Sequence, residues 1–204
     1  MTGVRNGVAG DRFAAVSTLT AAFSADPLLR WAFPDDAHWP ARAAALFCHL
    51  FDTRVEGGEI QVTDDVAAVS LWTAPGGSRL TEEERNESWA RTEGTFSPEE
   101  VERWHLFETA LRPRLPAEPH WYLGVLGTRP ERQGEGLGPR VLRSVLDDAD
   151  AASLPTYLET ATETNLPFYA RFGFEVTLDV VVPRGPRLWI LRREPRDVES
   201  AGPA

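Results

Sequence analysis

The chain has 204 residues, a formal net charge of −10, 42% hydrophobic and 25% charged residues, a globular balance with enough apolar material for a sizeable core. All 21 basic residues are arginine, which excludes a Walker A phosphate loop and Schiff-base lysine chemistry. The single cysteine, Cys48, excludes an internal disulfide and a cysteine-rich zinc site, and the acidic balance argues against nucleic-acid binding.

From the N-terminus, Val4 to Val8 is a faint strand interrupted by Asn6-Gly7. Phe13, Val16, Leu19, Thr20 and Phe23 recur at helical steps and predict a helix from Asp11 to Ser24, ended by Asp26-Pro27. A second helix is expected from His38 to Val55, with Ala44, Phe47, Leu50 and Phe51 on one face, then a break at Gly57-Gly58. Glu59 to Thr63 and Val66 to Thr73 read as a hairpin around Asp64-Asp65, closed by Pro75-Gly76-Gly77. Two polar helices come next, Thr81 to Arg91 and Pro98 to Arg112, carrying Trp89 and Trp104. Thr81 with Glu84 and Ser97 with Glu100 have capping-box spacing.

Beyond a proline-rich connector, Pro113 to Pro119, the pattern becomes strand His120–Thr128, helix Leu137–Ala151, strand Thr156–Thr160, helix Asn165–Phe172 and a hairpin of Phe174–Val182 with Arg187–Arg192. Val141, Leu142, Val145, Leu146 and Ala149 form the inward face of the long helix. The expectation is an α/β chain with a mixed sheet flanked by helices. One domain over residues 1–194 is divided into helices and a hairpin at 11–112 and a second half at 118–194, with a flexible tail at 195–204. No segment reaches the ~20 apolar residues of a membrane span, and residues 1–10 lack the apolar centre of a signal peptide. A cytoplasmic protein is expected.

The most informative segment is Gly127 to Gly138, between a strand and a helix. Glycines at 134, 136 and 138 let the backbone turn and approach a neighbour closely. A helix N-terminus offers unpaired N–H groups to an anion, and Arg129 and Arg132 add charge. The alternative is a glycine-rich turn that only tightens the connection. The spacing departs from the dinucleotide fingerprint G-x-G-x-x-G, which sets a Rossmann oxidoreductase far behind.

Gln133-x-x-Gly136-x-Gly138 after a strand resembles the acyl-CoA pyrophosphate loop of the GNAT superfamily of N-acetyltransferases, and Asn165-Leu-Pro-Phe-Tyr-Ala-Arg-Phe-Gly-Phe174 resembles that superfamily's second signature. The likeness is densest from Glu118 to Arg192. There Glu159-Thr160, Asn165 to Tyr169 and Pro183-x-Gly185-Pro186-Arg187 are similar to the puromycin N-acetyltransferase branch. Earlier in the chain it rests mainly on Ala22-Phe23-Ser-Ala-Asp-Pro27. Glu135 departs from the pattern, because relatives commonly carry a cation there.

The resemblance implies a GNAT-type sheet with splayed parallel strands and acetyl-CoA as acyl donor. It places acetyl-CoA on Leu126, Gly127, Thr128, Arg132, Gln133, Gly134, Gly136, Leu137, Gly138, Asn165 and Phe168. Backbone N–H groups near Leu126 and Thr128 hold pantetheine or the thioester oxygen, and Asn165 bonds pantetheine or caps its short helix. Tyr169 is the candidate general acid, against a plain core aromatic among Phe168, Phe172 and Phe174.

Glu159 lies on a strand inside the expected sheet, where a carboxylate needs a reason. It reads as a water-relayed general base, as an anchor for a substrate ammonium, or as an ion pair with an arginine at the sheet's end. On the acceptor side, Phe23, Asp26, Trp31 and Phe33, with Trp89 and Trp104 closing the pocket, suit an amphipathic cation; ordinary packing is the alternative for each tryptophan. His38, His49, His105 and His120 show no ligand spacing, so no metal is expected, and Cys48 reads as core. The expected reaction is acetylation of a small-molecule primary amine, with antibiotics among the candidates, by a monomer or homodimer with no nucleic-acid or membrane partner. A peptide or protein amine as acceptor, and a catalytically silent acetyl-CoA-binding module, are the alternatives.

Overall fold

The computed structural model describes residues 2–55, 57, 59–77 and 79–196. Gly58 of the expected glycine break and positions 197–204 of the expected tail lie outside the described residues. The elements are β1 (Val4–Asn6), α1 (Arg12–Ala22), α2 (Pro27–Ala32), α3 (Trp39–Val55), β2 (Ile60–Thr63), β3 (Ala68–Thr73), α4 (Glu82–Glu93) and α5 (Pro98–Leu111). They continue with β4 (Trp121–Thr128), α6 (Leu137–Ala151), β5 (Thr156–Thr160), α7 (Leu166–Ala170), β6 (Glu175–Val181) and β7 (Arg187–Arg193). Both expected capping boxes form, starting α4 and α5: Thr81 and Ser97 each accept from the backbone N–H three residues on, while Glu84 and Glu100 reach back.

Three helix expectations need correction. Phe13 is 86% exposed, because α1 buries an arc of Ala15, Val16, Thr18 and Leu19 and Phe13 falls about 140° from its centre at ~100° per residue. Asp26-Pro27 ends one helix and starts the next: Asp26 caps α2 by accepting from the Leu29 N–H at 2.9 Å, and Pro27 takes the first helical position, where its missing donor costs nothing. Asn165 to Phe172 contracts to the five residues of α7.

The seven strands form one mixed sheet in the order β1-β2-β3-β4-β5-β7-β6, antiparallel except for the parallel pair β4·β5. One core lies under α1, α2, α3 and α5, with Leu19, Phe33, Phe47 and Phe51 in it; a second, on the α6 and α7 side, holds Trp72, Leu123, Leu142, Leu158 and Phe174. All five inward positions read for α6 are buried.

Two irregularities of β4 open the sheet at its centre. Leu71 pairs with Val125 and Trp72 with Leu123, so Gly124 is an extra residue, a β-bulge. The parallel pairing with β5 ends after Leu123↔Leu158, although β4 continues to Thr128. Beyond Leu123, β4 therefore bonds to β3 on one edge and turns the other edge to an opening gap. At Gly127 a Cβ would stand 2.7 Å from Leu19 Cδ2 and 3.2 Å from Ala22 Cβ, so a side chain there would press on α1.

Candidate active site

Two cavities meet at the gap between β4 and β5. The first, about 280 Å³, runs from the open edge of β4 to the N-terminus of α6. It is lined by Leu126, Thr128, Arg132, Gln133, Gly134, Gly136, Leu137, Gly138, Pro139, Asn165, Phe168 and Tyr169. Of the residues expected to hold acetyl-CoA, only Gly127 lies off this wall, committed instead to α1. Gly134 and Gly136 have φ of 84° and 74°, with nothing within 4 Å of where a side chain would start. Gly136 caps α6 with no side-chain bond, and the first turn carries no acidic residue. The first N–H groups of α6 thus point unpaired into open space, an anion-binding arrangement that fits a diphosphate.

The local charges are less open than the sequence suggests. Arg132 Nε and Nη2 donate to Glu135 at 2.7 and 2.8 Å, and Nη1 donates to Asp65 at 2.6 Å. The Arg132 bond, with smaller help from Thr63 and the Ala67 N–H, holds the Asp65 carboxyl down at about 2. Glu135 therefore faces Arg132.

The second cavity, about 390 Å³, lies on the other side of the gap. Phe23, Asp26, Phe47, Arg54, Trp104, Phe107, Tyr122, Glu159, Asn165 and Tyr169 are among its walls. Leu126, Asn165 and Tyr169 line both cavities. Asn165 Nδ2 donates to Thr160 Oγ1 at 3.4 Å, and its side chain makes no helix cap. Tyr169 is 8% exposed; burial and the nearby Glu159 and Asp26 carboxyls keep its hydroxyl protonated well above the ordinary phenol range.

Glu159 takes none of its expected arginine partners. It sits on β5 beside β4, and the Tyr122 hydroxyl donates to its carboxylate. Burial raises Glu159 to about 7, with Asp26 adding to the rise while the Tyr122 bond and Arg54 oppose it. Asp26 is itself raised by burial.

Phe23 and Asp26 reach this cavity. Trp31 and Phe33 do not: Trp31 Nε1 donates to the Arg184 carbonyl at 2.8 Å, and the ring packs against Gly185, while Phe33 is fully buried against Phe96 and Trp104. The short helix α2 turns both toward α5 and the β6–β7 loop. Trp104 lines the cavity; Trp89 lines only a neighbouring hollow. Cys48 is partly buried against the core.

The sequence reading missed Tyr122 and Arg54. Tyr122 comes into view only with the β4·β5 register, which sets Tyr122 beside Tyr157 and puts Glu159, two residues along, on the same face. Arg54, a charge in the last turn of an apolar helix, is ordinary helix chemistry until the tertiary fold is known.

Residues 79–174 match the model of the acetyltransferase (GNAT) family. Over that stretch the chain is similar to acetyltransferases of the GNAT family. It is 25% identical over 206 residues to an uncharacterized N-acetyltransferase of Schizosaccharomyces pombe, covering 92% of this chain and 81% of that protein. Its fold is similar to the crystal structure of a histone acetyltransferase HPA2 and related acetyltransferase from Corynebacterium glutamicum, with a TM-score of 0.69, 24% identity and coverage of 96% and 98%. It is also similar to arylalkylamine N-acetyltransferase 2 of Aedes aegypti, with a TM-score of 0.64, 14% identity and coverage of 95% and 98%. Among the described residues no helix is long and apolar enough to cross a membrane.

Proposed function

We propose that this chain is a GNAT-type acetyltransferase that transfers an acetyl group from acetyl-CoA directly to the primary amine of a small molecule. One observation carries the reading: Tyr169 and Asn165 stand on the wall shared by the anion-binding groove and the acidic, aromatic cavity that holds Glu159. The acyl donor supplies the thioester. The uncapped N–H groups of α6 receive its diphosphate, and the open edge of β4 around Leu126 and Thr128 receives pantetheine and the charge developing on the carbonyl oxygen. A positioned donor of that kind is worth about 3 kcal/mol.

Glu159, raised to about 7, takes the amine proton through a water as the C–N bond forms. The C–S bond then breaks, and Tyr169 donates its proton to the departing sulfur. These two steps are linked by charge. Ionised Glu159 is one of the groups that hold the Tyr169 proton tightly, so its protonation releases that hold when the thiolate needs a donor. The aromatic lining and the Asp26 carboxyl suit an amphipathic cation, and the mosquito neighbour is named for arylalkylamines. Amine-bearing antibiotics of the puromycin kind, suggested by the sequence likeness, belong to the acceptor class to be screened first.

Tyr169→Phe tests the assignment. Thiol release from acetyl-CoA with an accepted amine should fall by about 10²-fold or more, with acetyl-CoA affinity by calorimetry changed less than about twofold. Turnover close to wild type removes Tyr169 from the mechanism.

A further inference from the structure

Arg54 sits in the last turn of α3 and lines both the acceptor cavity and the neighbouring hollow under α4. Nη1 serves the helix, donating to the Leu50 carbonyl at 3.1 Å and to Thr53 Oγ1 at 3.3 Å. Nη2 has one long contact, 3.4 Å to Thr73 Oγ1, and Nε is buried with no partner. A guanidinium has five N–H donors, so two are unused. Among the described residues no carboxylate lies in ion-pair range of it; Glu59 and Glu159 act on it only from a distance. A cation removed from water without a counter-ion is costly, and this one borders an open cavity.

The bulge places it relative to the reacting end. A Cβ on Gly124 would lie 3.5 Å from both Arg54 Nη2 and Tyr122 Cε1, so the guanidinium and the phenol ring border the same small volume. The Tyr122 hydroxyl donates to Glu159. One wall therefore runs from carboxylate through phenol to guanidinium, with Phe47 and Phe107 completing the cavity.

Resting on the reading of this cavity as the acceptor site, we propose that among small amines the site prefers zwitterions. The zwitterion's amine lies at the Glu159 and Tyr169 end, and its carboxylate occupies the free N–H donors of Arg54. A carboxylate matches that fork, and a charge-assisted pair discriminates about 10- to 100-fold against a neutral isostere.

The test compares acids with their amides as acceptors of the full-length protein: leucine, glycyl-leucine and ε-aminocaproate, each against its carboxamide. In the wild type at least one acid should exceed its amide by about tenfold or more in kcat/KM. In Arg54→Gln that ratio should collapse toward one, mainly through KM of the acid, and Arg54→Lys should restore part of it. A purely structural arginine would weaken acid and amide alike. Amides used as well as acids by the wild type, or a preference that survives Arg54→Gln, overturns the proposal while leaving acetyl transfer intact. Failure to acetylate any amine, acids and antibiotics included, overturns the underlying reading and this proposal with it. Should Arg54→Gln not fold, the wild-type acid-to-amide ratios decide.

Discussion

Glu159 is the residue whose surroundings say most about the chemistry. A carboxyl raised to about 7 is half ionised near neutrality, where a general base works best. At saturating acceptor, wild-type kcat should fall about tenfold per pH unit below about 7; in Glu159→Gln it should be at least ~10²-fold lower above that pH and lose the dependence. An unaltered profile in the variant would show that the base lies elsewhere. The same shift affects folding. A carboxyl whose folded value exceeds its ordinary 4.5 contributes stability that is full below about 4.5 and lost as pH rises through about 7. Glu159→Gln escapes that loss, so at pH ~8 it should be more stable than wild type by on the order of 2 kcal/mol in chemical denaturation, with the advantage gone below pH ~4.5.

At the scale of elements, what the sequence showed and what it hid divide along a physical line. Elements set by local rules were legible: the capping boxes of α4 and α5 and the inward face of α6. So was the glycine loop, because left-handed backbone at residues 134 and 136 needs glycine. Features that depend on contacts distant in sequence were not. Gly127 looked like a ligand-binding glycine and serves α1; Trp31 and Phe33 looked like acceptor contacts until α2 turned them away. The partner of Glu159 required the β4·β5 register. Glu135 is intermediate: its departure from the family pattern was visible, but not its bidentate hold on Arg132. Glu135→Lys releases Arg132 from one of its two carboxylates and adds a cation at the mouth of the groove. By calorimetry acetyl-CoA should bind about threefold tighter at low ionic strength, with less gain in high salt. No change at any salt concentration would mean that the loop charges do not reach the diphosphate.

For the whole molecule, the splay of β4 from β5 is the organising feature, since it opens one sheet between two cores and leaves both cavities at its seam. A donor that fills the seam ties the two cores together. Acetyl-CoA at 100 times its dissociation constant should add about 2.7 kcal/mol, a rise in Tm of roughly 5–10 °C for a chain of this length, whereas NAD should give none. No shift with acetyl-CoA or CoA would mean that the groove does not hold the donor. At the rim of that groove the cation is a guanidinium, that of Arg132. An amine held beside an activated acyl group is a target for it, while a guanidinium, protonated at any workable pH, is not. With no lysine anywhere in the sequence, the protein has no ε-amine to lose to the acyl donor proposed for it, and the arginine at the groove is immune to acetylation by that donor.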